Sequence, residues 1–196
     1  MSKEYFAETI GILGDALKSI DSREMENLIH ACKRTINDGN KIICSGLGKN
    51  VPVCEKFVGT MNSLGLNACF MNTNSATHGD IGMVKDGDLV IILTKSGETA
   101  ESIYLHNLLN ERLCEQWLLS FEEESTLSSE IKNKVIVHLE SEGDKWNIVP
   151  NNSTTINLIV LQTVVMQLAD DLGISLSDFK KNHPGGHIGE VLKSAR

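Results

Sequence analysis

Two short loops carry residue types that bind small anions. The first is the segment 94–99, TKSGET, which follows the apolar run LVIIL and precedes a helical pattern. Its three hydroxyl side chains, Thr94, Ser96 and Thr99, therefore lie at a helix N-terminus, where free amides and the helix dipole favour a phosphate. The segment predicts an anion cradle. The alternative, that Ser96 or Thr99 only caps the helix, fits the same spacing and stays open.

The second loop, Gly46-Leu47-Gly48-Lys49-Asn50, also joins an apolar run to a helical pattern. A dinucleotide fingerprint needs a third glycine where the chain has Val51, and a P-loop needs a glycine and a hydroxyl residue where it has Ile43 and Asn50. These differences disfavour nucleotide binding. Lys49 at the end of a strand suits a small phosphorylated ligand instead, or else it faces solvent.

Histidines and carboxylates are the remaining candidates for chemistry. Among the six histidines, His78 lies close to Asp80, whereas His183 and His187 flank a Pro-Gly-Gly turn that keeps them off one helix face. We therefore expect that the protein requires no metal. An inhibitory metal site near His78 remains an open alternative. The sequence has no G-x-S-x-G motif for a covalent nucleophile, so carboxylates and histidines are the expected acid and base.

The composition limits the class of protein. The chain has 196 residues, 41% hydrophobic and 22% charged, which fits one globular domain. A net charge of -8 and an isoelectric point near 5.2 disfavour partners held by bulk charge, so we expect neither nucleic-acid nor membrane binding. Five cysteines without a C-x-x-C pair, and an N-terminus without a signal segment, indicate a reduced, cytoplasmic location.

Periodicity predicts the elements that hold these loops. Helical spacing indicates two helices over residues 3–37, with a break near residue 21. Five short apolar runs then alternate with helical patterns. A long helix over about 154–172, capped by Asn152 or Ser153, precedes a tail with one last helical turn. The apolar runs are 41–44, 67–71, 89–93, 117–121 and 134–139.

Strands that are apolar throughout, such as LVIIL, are typical of a parallel sheet covered on both faces. We predict one three-layer α/β domain over residues 1–196. It comprises the two N-terminal helices, an α/β core over about 40–172 and a helical tail over about 175–196. Ligands of such sheets bind beyond the carboxyl ends of the strands, where both loops lie.

Five motifs cover nearly the whole chain. They are G-L-G-K at 46–49, H-G-D-I-G-M-V at 78–84, S-G-E-T-A-E at 96–101, V-P-N-N-S-T-T at 149–155 and N-H-P-G-G-H-I-G at 182–189. In this order they resemble the sugar isomerase (SIS) domain family, and within it the arabinose-5-phosphate isomerases. The resemblance implies a five-stranded parallel sheet in flavodoxin-like order.

The resemblance also implies an activity. Such enzymes interconvert D-ribulose 5-phosphate and D-arabinose 5-phosphate through an enediolate, without a cofactor. Their product feeds synthesis of 3-deoxy-D-manno-octulosonate, the eight-carbon acid sugar of Gram-negative lipopolysaccharide and some capsules. We therefore expect a small sugar phosphate as substrate. We also expect a homodimer or homotetramer with active sites shared between subunits.

By the same resemblance, the polar site residues of the family fall on Lys49, Glu101, Glu142 and His183. Glu142 is the expected base, and His183 would shuttle a hydroxyl proton or open the sugar ring. Lys49 would offset negative charge, while Glu101 would orient Lys49 or a sugar hydroxyl. Without the resemblance, Glu142 and Glu101 would be ordinary exposed acids, and His183 a turn residue that caps the preceding helix.

Environment and substrate contacts complete the expected site. We expect Trp146 and Ile148 to desolvate Glu142 and raise its pKa. The phosphate loop of the family falls on Thr94, Ser96 and Thr99. Further substrate or phosphate contacts are expected at Ser45, Gly48, Asn50, Ser153 and Thr154.

The chain departs from the family pattern in several places. It has Lys49-Asn50 where many members have Lys-Ser, and Thr94-Lys95 where they have Ser-Asn. The stretch 143–149 is polar where theirs is small and apolar. Many relatives also continue into paired CBS domains, which we expect this chain to lack. Two other readings stay open: another SIS isomerase acting on a heptose, hexulose or hexosamine phosphate, and a non-catalytic SIS module that senses a sugar phosphate.

Overall fold

Two helices precede the sheet, as the periodicity predicted. The structure, a computed structural model, describes residues 2–194. Helix α1 spans Ser2–Lys18 and α2 spans Ser22–Asn37. The carboxylate of Asp21 accepts a hydrogen bond from the amide of Arg23 at 2.7 Å, which caps α2 and explains the break between the helices.

Strands and helices then alternate along the chain. Most bounds agree with the predicted ones, but the run 134–139 pairs only as far as Ile136, and the tail ends in a nine-residue helix rather than one turn. The elements are β1 (Ile42–Gly46), α3 (Asn50–Ser63), β2 (Ala68–Asn72), α4 (Thr73–Ala76), a 3-10 turn (Asp80–Met83), β3 (Leu89–Leu93), α5 (Ala100–Leu109), β4 (Glu115–Ser120), α6 (Thr126–Glu130), β5 (Lys134–Ile136), α7 (Asn152–Asp171), α8 (Leu176–Lys181) and α9 (Gly186–Ser194).

The five strands form one parallel sheet in the order β2-β1-β3-β4-β5. This order confirms the predicted flavodoxin-like arrangement. The chain changes direction between β1 and β3, which lie side by side with Ile43 opposite Val90. A crevice forms at such a switch point because the connections that leave the two strands turn to opposite faces of the sheet.

Helices cover both faces of the sheet and explain its apolar strands. In β3, Leu89, Ile91 and Leu93 pack in one core with α1, α2, α3 and α7, whereas Val90 and Ile92 pack in a second core with α4, α5 and α6. All five side chains are buried. The predicted three-layer α/β class is therefore confirmed. Within residues 2–194, no helix combines the length and apolar character needed to cross a membrane.

Candidate active site

A cleft of about 240 Å³ lies beyond the carboxyl ends of β1 and β3. Three segments line it: the loop between β1 and α3, the loop between β3 and α5, and the first turns of α7. They converge because the parallel strands end at one edge of the sheet and α7 starts at the same edge. The sequence-predicted residues that line the cleft are Gly48, Lys49, Asn50, Thr94, Thr99, Ser153 and Thr154.

Other predicted residues lie elsewhere. Ser45 is buried inside the sheet, and its Oγ lies 3.0 Å from Oγ1 of Thr73. Ser96 is exposed beside the cleft, and Glu101 is exposed in the first turn of α5. Neither belongs to the lining.

The loop between β3 and α5 uses some of its hydroxyls to hold its own shape. Oγ1 of buried Thr94 accepts a hydrogen bond from the amide of Gly97 at 3.2 Å, and Oγ of Ser96 accepts one from the amide of Glu98 at 3.1 Å. Thr99 occupies the N-cap position of α5, yet its side chain makes no capping hydrogen bond. The hydroxyl of Thr99 is therefore the cradle group best placed to bind an anion in the cleft.

Gly97 gives this loop its shape. Its φ is +66°, and an added Cβ would collide with Oγ of Ser125 and lie 2.7 Å from its Cβ. Ser125 caps α6 by accepting a hydrogen bond from the amide of Ser128 at 3.2 Å. Glycine allows the β3–α5 loop to pack directly against the start of α6.

Glu142 lies fully buried behind the cleft. Its Oε2 accepts hydrogen bonds from the amides of Asn151 and Ser153, at 3.0 and 2.9 Å. The carboxylate thus binds the N-terminus of α7, which replaces the predicted side-chain cap from Asn152 or Ser153. Its Oε1 lies 2.7 Å from Nζ of Lys95 but makes no hydrogen bond of good geometry.

The expected cause and direction of the Glu142 pKa shift were both wrong. Burial by itself would raise the pKa, but the ammonium of Lys95 and the hydrogen bonds from Ser153 and Asn151 outweigh it, so the pKa lies below its ordinary value. Trp146 and Ile148, the expected apolar neighbours, are instead 63% and 72% exposed.

Three polar residues that line the cleft are not among the site residues predicted from the sequence: Lys95, Ser102 and Asn157. Lys95 departs from the family pattern, and its partner Glu142 is distant in sequence. Asn157 is 1% exposed; its Nδ2 donates to Oδ1 of Asn50 at 3.0 Å, while its own Oδ1 has no hydrogen-bond partner. The signal for Asn157 was available, since it lies one helical turn after Ser153 on the same face of α7.

His183 lies far from this cleft within its own chain. Its Nδ1 donates to the carbonyl of Phe179 at 2.9 Å, and its ring stacks on Phe179 at 3.9 Å. The adjacent Asn182 donates to the carbonyl of Ser63, at the C-terminal end of α3. Helix α3 begins at the cleft and is 14 residues long. Its rise per residue therefore implies that roughly 20 Å separate His183 from the cleft of the same chain.

The charge of the cleft favours an anion. Lys49 and Lys95 line it, and no carboxylate does so among the residues that the structure covers. The histidines offer little for a metal: His78 and Asp80 are exposed, and within residues 2–194 no group of three or more His, Cys, Asp or Glu side chains is arranged to hold an ion.

Comparison with known proteins gives a consistent picture. The SIS domain family matches residues 35–169. The arabinose 5-phosphate isomerase KdsD of Pseudomonas aeruginosa is 29% identical over 184 residues, which are 94% of this chain and 56% of KdsD. The chain therefore spans about half the length of the curated relatives it matches.

Solved structures share the fold. The protein c3406 of Escherichia coli CFT073, in complex with arabinose 5-phosphate, has a TM-score of 0.86 and 27% identity; the match covers 93% of this chain and 95% of c3406. The sugar isomerase domain of the RpiR transcription factor from Sphaerobacter thermophilus has a TM-score of 0.72 and 15% identity, with 98% of both chains covered. At that identity the likeness concerns the fold alone.

Proposed function

Because this chain belongs to the SIS domain family, we propose that it is an aldose–ketose isomerase that interconverts D-ribulose 5-phosphate and D-arabinose 5-phosphate. The observation that carries the proposal is a buried carboxylate, Glu142, beside a cleft lined by two lysines and by the start of α5. The similarity to KdsD over 94% of the chain and to the sugar-phosphate complex of c3406 supports the choice of substrate.

The phosphate of the substrate would bind at the β3–α5 loop. There the N-terminal amides of α5 and the hydroxyl of Thr99 donate to its oxygens, while Lys49 supplies positive charge. Such contacts form equally in the ground state and in the transition state. They therefore contribute to binding rather than to the chemical step.

Glu142 would move the proton. In the direction from aldose to ketose, its carboxylate takes the proton from C2 and the carbonyl becomes an enediolate; the same proton then returns to C1. Lys49 offsets the charge that develops on the enediolate oxygens. Glu101, in the first turn of α5, would orient Lys49 or a sugar hydroxyl.

His183 would complete the site from a neighbouring subunit. Roughly 20 Å separates it from the cleft of its own chain, as the length of α3 implies, so a role for this imidazole in catalysis requires the cleft of a second chain. We therefore propose a homodimer or homotetramer in which His183 shuttles the hydroxyl proton, or opens the sugar ring, in the site of its partner.

The proposed reaction also has a cellular context. Its product would feed synthesis of 3-deoxy-D-manno-octulosonate for lipopolysaccharide or capsule. The five cysteines are free thiols, and we propose that the reaction takes place in the cytoplasm.

Two alternatives have their own support. Other SIS isomerases act on larger sugar phosphates, and the substitutions at Asn50 and Lys95 change the cleft where a substrate would bind. A sensor module is the second, since an RpiR transcription factor shares the fold. A sensor needs the anion cradle but neither a buried carboxylate nor a proton shuttle, so Glu142 and His183 favour the enzyme.

Product analysis on a panel of pentose, hexose and heptose phosphates tests the proposal. We expect reversible conversion of ribulose 5-phosphate to arabinose 5-phosphate, unchanged by EDTA. Conversion of a different sugar phosphate would instead support another SIS isomerase, and binding without conversion would support the sensor. Activity that EDTA abolishes and a divalent cation restores would overturn the expectation that no metal is required, with His78 and Asp80 the first residues to substitute.

A further inference from the structure

The proposed base does not line the cleft. Glu142 is completely buried, whereas Lys95 is one of the residues that line the cleft. The side chain of Lys95 is 43% exposed, and its Nζ lies 2.7 Å from Oε1 of Glu142. A half-exposed ammonium that pairs with a fully buried carboxylate would stand between that carboxylate and a substrate bound in the cleft. For Glu142 to take a proton from a sugar carbon, Lys95 has to move.

We propose that Lys95 is an exchangeable counter-ion of the base: its ammonium pairs with Glu142 in the free enzyme and moves to the substrate phosphate on binding, which uncovers Oε1. This inference rests on the proposed function, because it takes Glu142 as the base and a sugar phosphate as the ligand. In this role Lys95 controls when Oε1 of Glu142 becomes accessible to the substrate.

The two oxygens of Glu142 make this exchange possible. Oε2 is held by the amides of Asn151 and Ser153, so the carboxylate stays in place when its counter-ion leaves. Oε1 has only the ammonium, in poor hydrogen-bond geometry, and gains a free acceptor site when Lys95 departs. A flexible, half-exposed lysine can swing between two anions at little cost.

The direction of exchange follows from charge. A phosphate dianion carries more negative charge than a carboxylate and offers more acceptor oxygens, so it competes well for a lysine at the same cleft. Once the ammonium has left, Glu142 loses its neutralising partner and faces an additional anion. Its pKa then rises, and the carboxylate becomes a stronger base when substrate is present.

Other groups near Glu142 do not supply this exchange. Its own segment carries Glu140 and Asp144, and the carboxylate of Asp144 already accepts hydrogen bonds from the amides of the turn that follows it. The hydroxyl of Tyr5 on α1 donates to the carbonyl of Gly143. Lys95 is the charged group that contributes to the lowered pKa of Glu142; the other contributions come from hydrogen bonds of Ser153 and Asn151.

The test measures the titration of Glu142 directly. Protein labelled with ¹³C at the glutamate carboxyl is titrated by NMR with and without saturating sulfate, a dianion that does not itself titrate in this range. The Glu142→Gln variant assigns the signal. Lys95→Met removes the charge, Lys95→Arg keeps it, and Lys132→Met serves as a matched control because Lys132 is exposed at the opposite edge of the sheet.

In the wild-type protein we expect sulfate to raise the midpoint of Glu142 by about one pH unit or more, which is the usual effect of losing a close opposite charge. Lys132→Met should behave in the same way, and Lys95→Arg should retain the response. In Lys95→Met the midpoint should already be high without sulfate, and sulfate should move it little. Lys95→Asn, a second variant without the charge, should match Lys95→Met and guards against a folding defect of one variant.

Three results would overturn the exchange. The first is a titration midpoint of Glu142 that sulfate does not change in the wild-type protein, and the second is that sulfate does not bind. The third is an equal shift of this midpoint in Lys95→Met, which would mean that sulfate acts on Glu142 without Lys95. The isomerase assay separates this inference from the proposed function. Activity with an unmoved midpoint rejects the exchange alone, whereas a moved midpoint in a protein that isomerises no sugar phosphate rejects the proposed function.

Discussion

The two oxygens of Glu142 have different tasks. Oε2 binds the first amides of α7 and is part of the fold, whereas Oε1 faces Lys95 and the cleft. A carboxylate held by one oxygen has a fixed orientation, which a base needs if its second oxygen is to reach a substrate carbon. The structural role of Glu142 and its proposed chemical role would therefore coexist in one side chain.

Substitutions at Thr99 and Glu142 should affect different kinetic constants. Thr99→Val keeps the shape of the side chain but removes the proposed hydrogen bond to the phosphate, so KM should rise about tenfold with little change in kcat. Glu142→Gln should lower kcat by roughly 10²-fold or more because an amide cannot accept the proton.

Steady-state kinetics with the preferred sugar phosphate measures both effects. Ser129→Ala, an exposed change on α6 away from the cleft, should leave both constants unchanged. A Glu142→Gln enzyme with normal kcat would show that another residue is the base, and His183 would be the next candidate.

At the scale of elements, the site depends on how three loops meet. The β3–α5 loop packs against α6 through Gly97 and carries Lys95 toward the segment that follows β5. Glu142 on that segment then binds the start of α7. The predicted anion cradle and the proposed base are therefore positioned by one continuous set of contacts, and a change in the loop should affect both.

Gly97→Ala should test this arrangement. The positive φ and the collision with Ser125 predict a loss of about 2 kcal/mol or more in the free energy of unfolding. Gly59→Ala is the matched control, since Gly59 lies inside α3 with no atom near an added Cβ; it should gain about 0.5–1 kcal/mol. Thermal unfolding of both variants gives the comparison, and equal melting temperatures would contradict it.

The elements were more predictable from the sequence than their contacts. Continuous apolar runs such as LVIIL and the loops that follow them indicate both the parallel sheet and the edge at which ligands bind. The partner of Glu142 was not predictable in this way. Lys95 follows β3 and Glu142 follows β5, so their ion pair depends on the path of two loops across the sheet edge, which residue type and spacing do not encode.

Exposure was a further source of error. Trp146 and Ile148 are apolar and close to Glu142 in sequence, which suggested that they would cover it. In the structure the turn built on Asp144 directs the chain outward: the Asp144 carboxylate accepts hydrogen bonds from the amides of Trp146, Ile148 and Val149. Burial of Glu142 comes instead from the start of α7 and the β3–α5 loop.

For the whole molecule, the distance of His183 from the cleft of its own chain leads us to predict active sites that are shared between subunits. Glu142→Gln and His183→Ala should each be nearly inactive. If one site combines residues from two chains, joint unfolding and random reassembly of the two variants should restore activity to about a quarter of the wild-type level, because about a quarter of the sites then contain both intact residues.

Activity after co-refolding, compared with each variant refolded alone and with wild-type protein, provides the measurement. Mass spectrometry of the assembled species verifies that mixed oligomers have formed. If the mixed oligomers are inactive although the wild-type control refolds well, His183 acts within its own chain and the shared-site model is wrong.

The outward turn at Asp144 also gives the protein an optical property. Of its two tryptophans, Trp117 is 4% exposed inside the sheet, whereas Trp146 is 63% exposed, with Nζ of Lys145 lying 4.3 Å from its ring centroid. Their emission should differ in wavelength and in quenching by acrylamide, so the two signals can be resolved without a label. Because Pro150 of the same short segment lines the cleft, we expect the emission of Trp146 to change when a ligand enters the cleft.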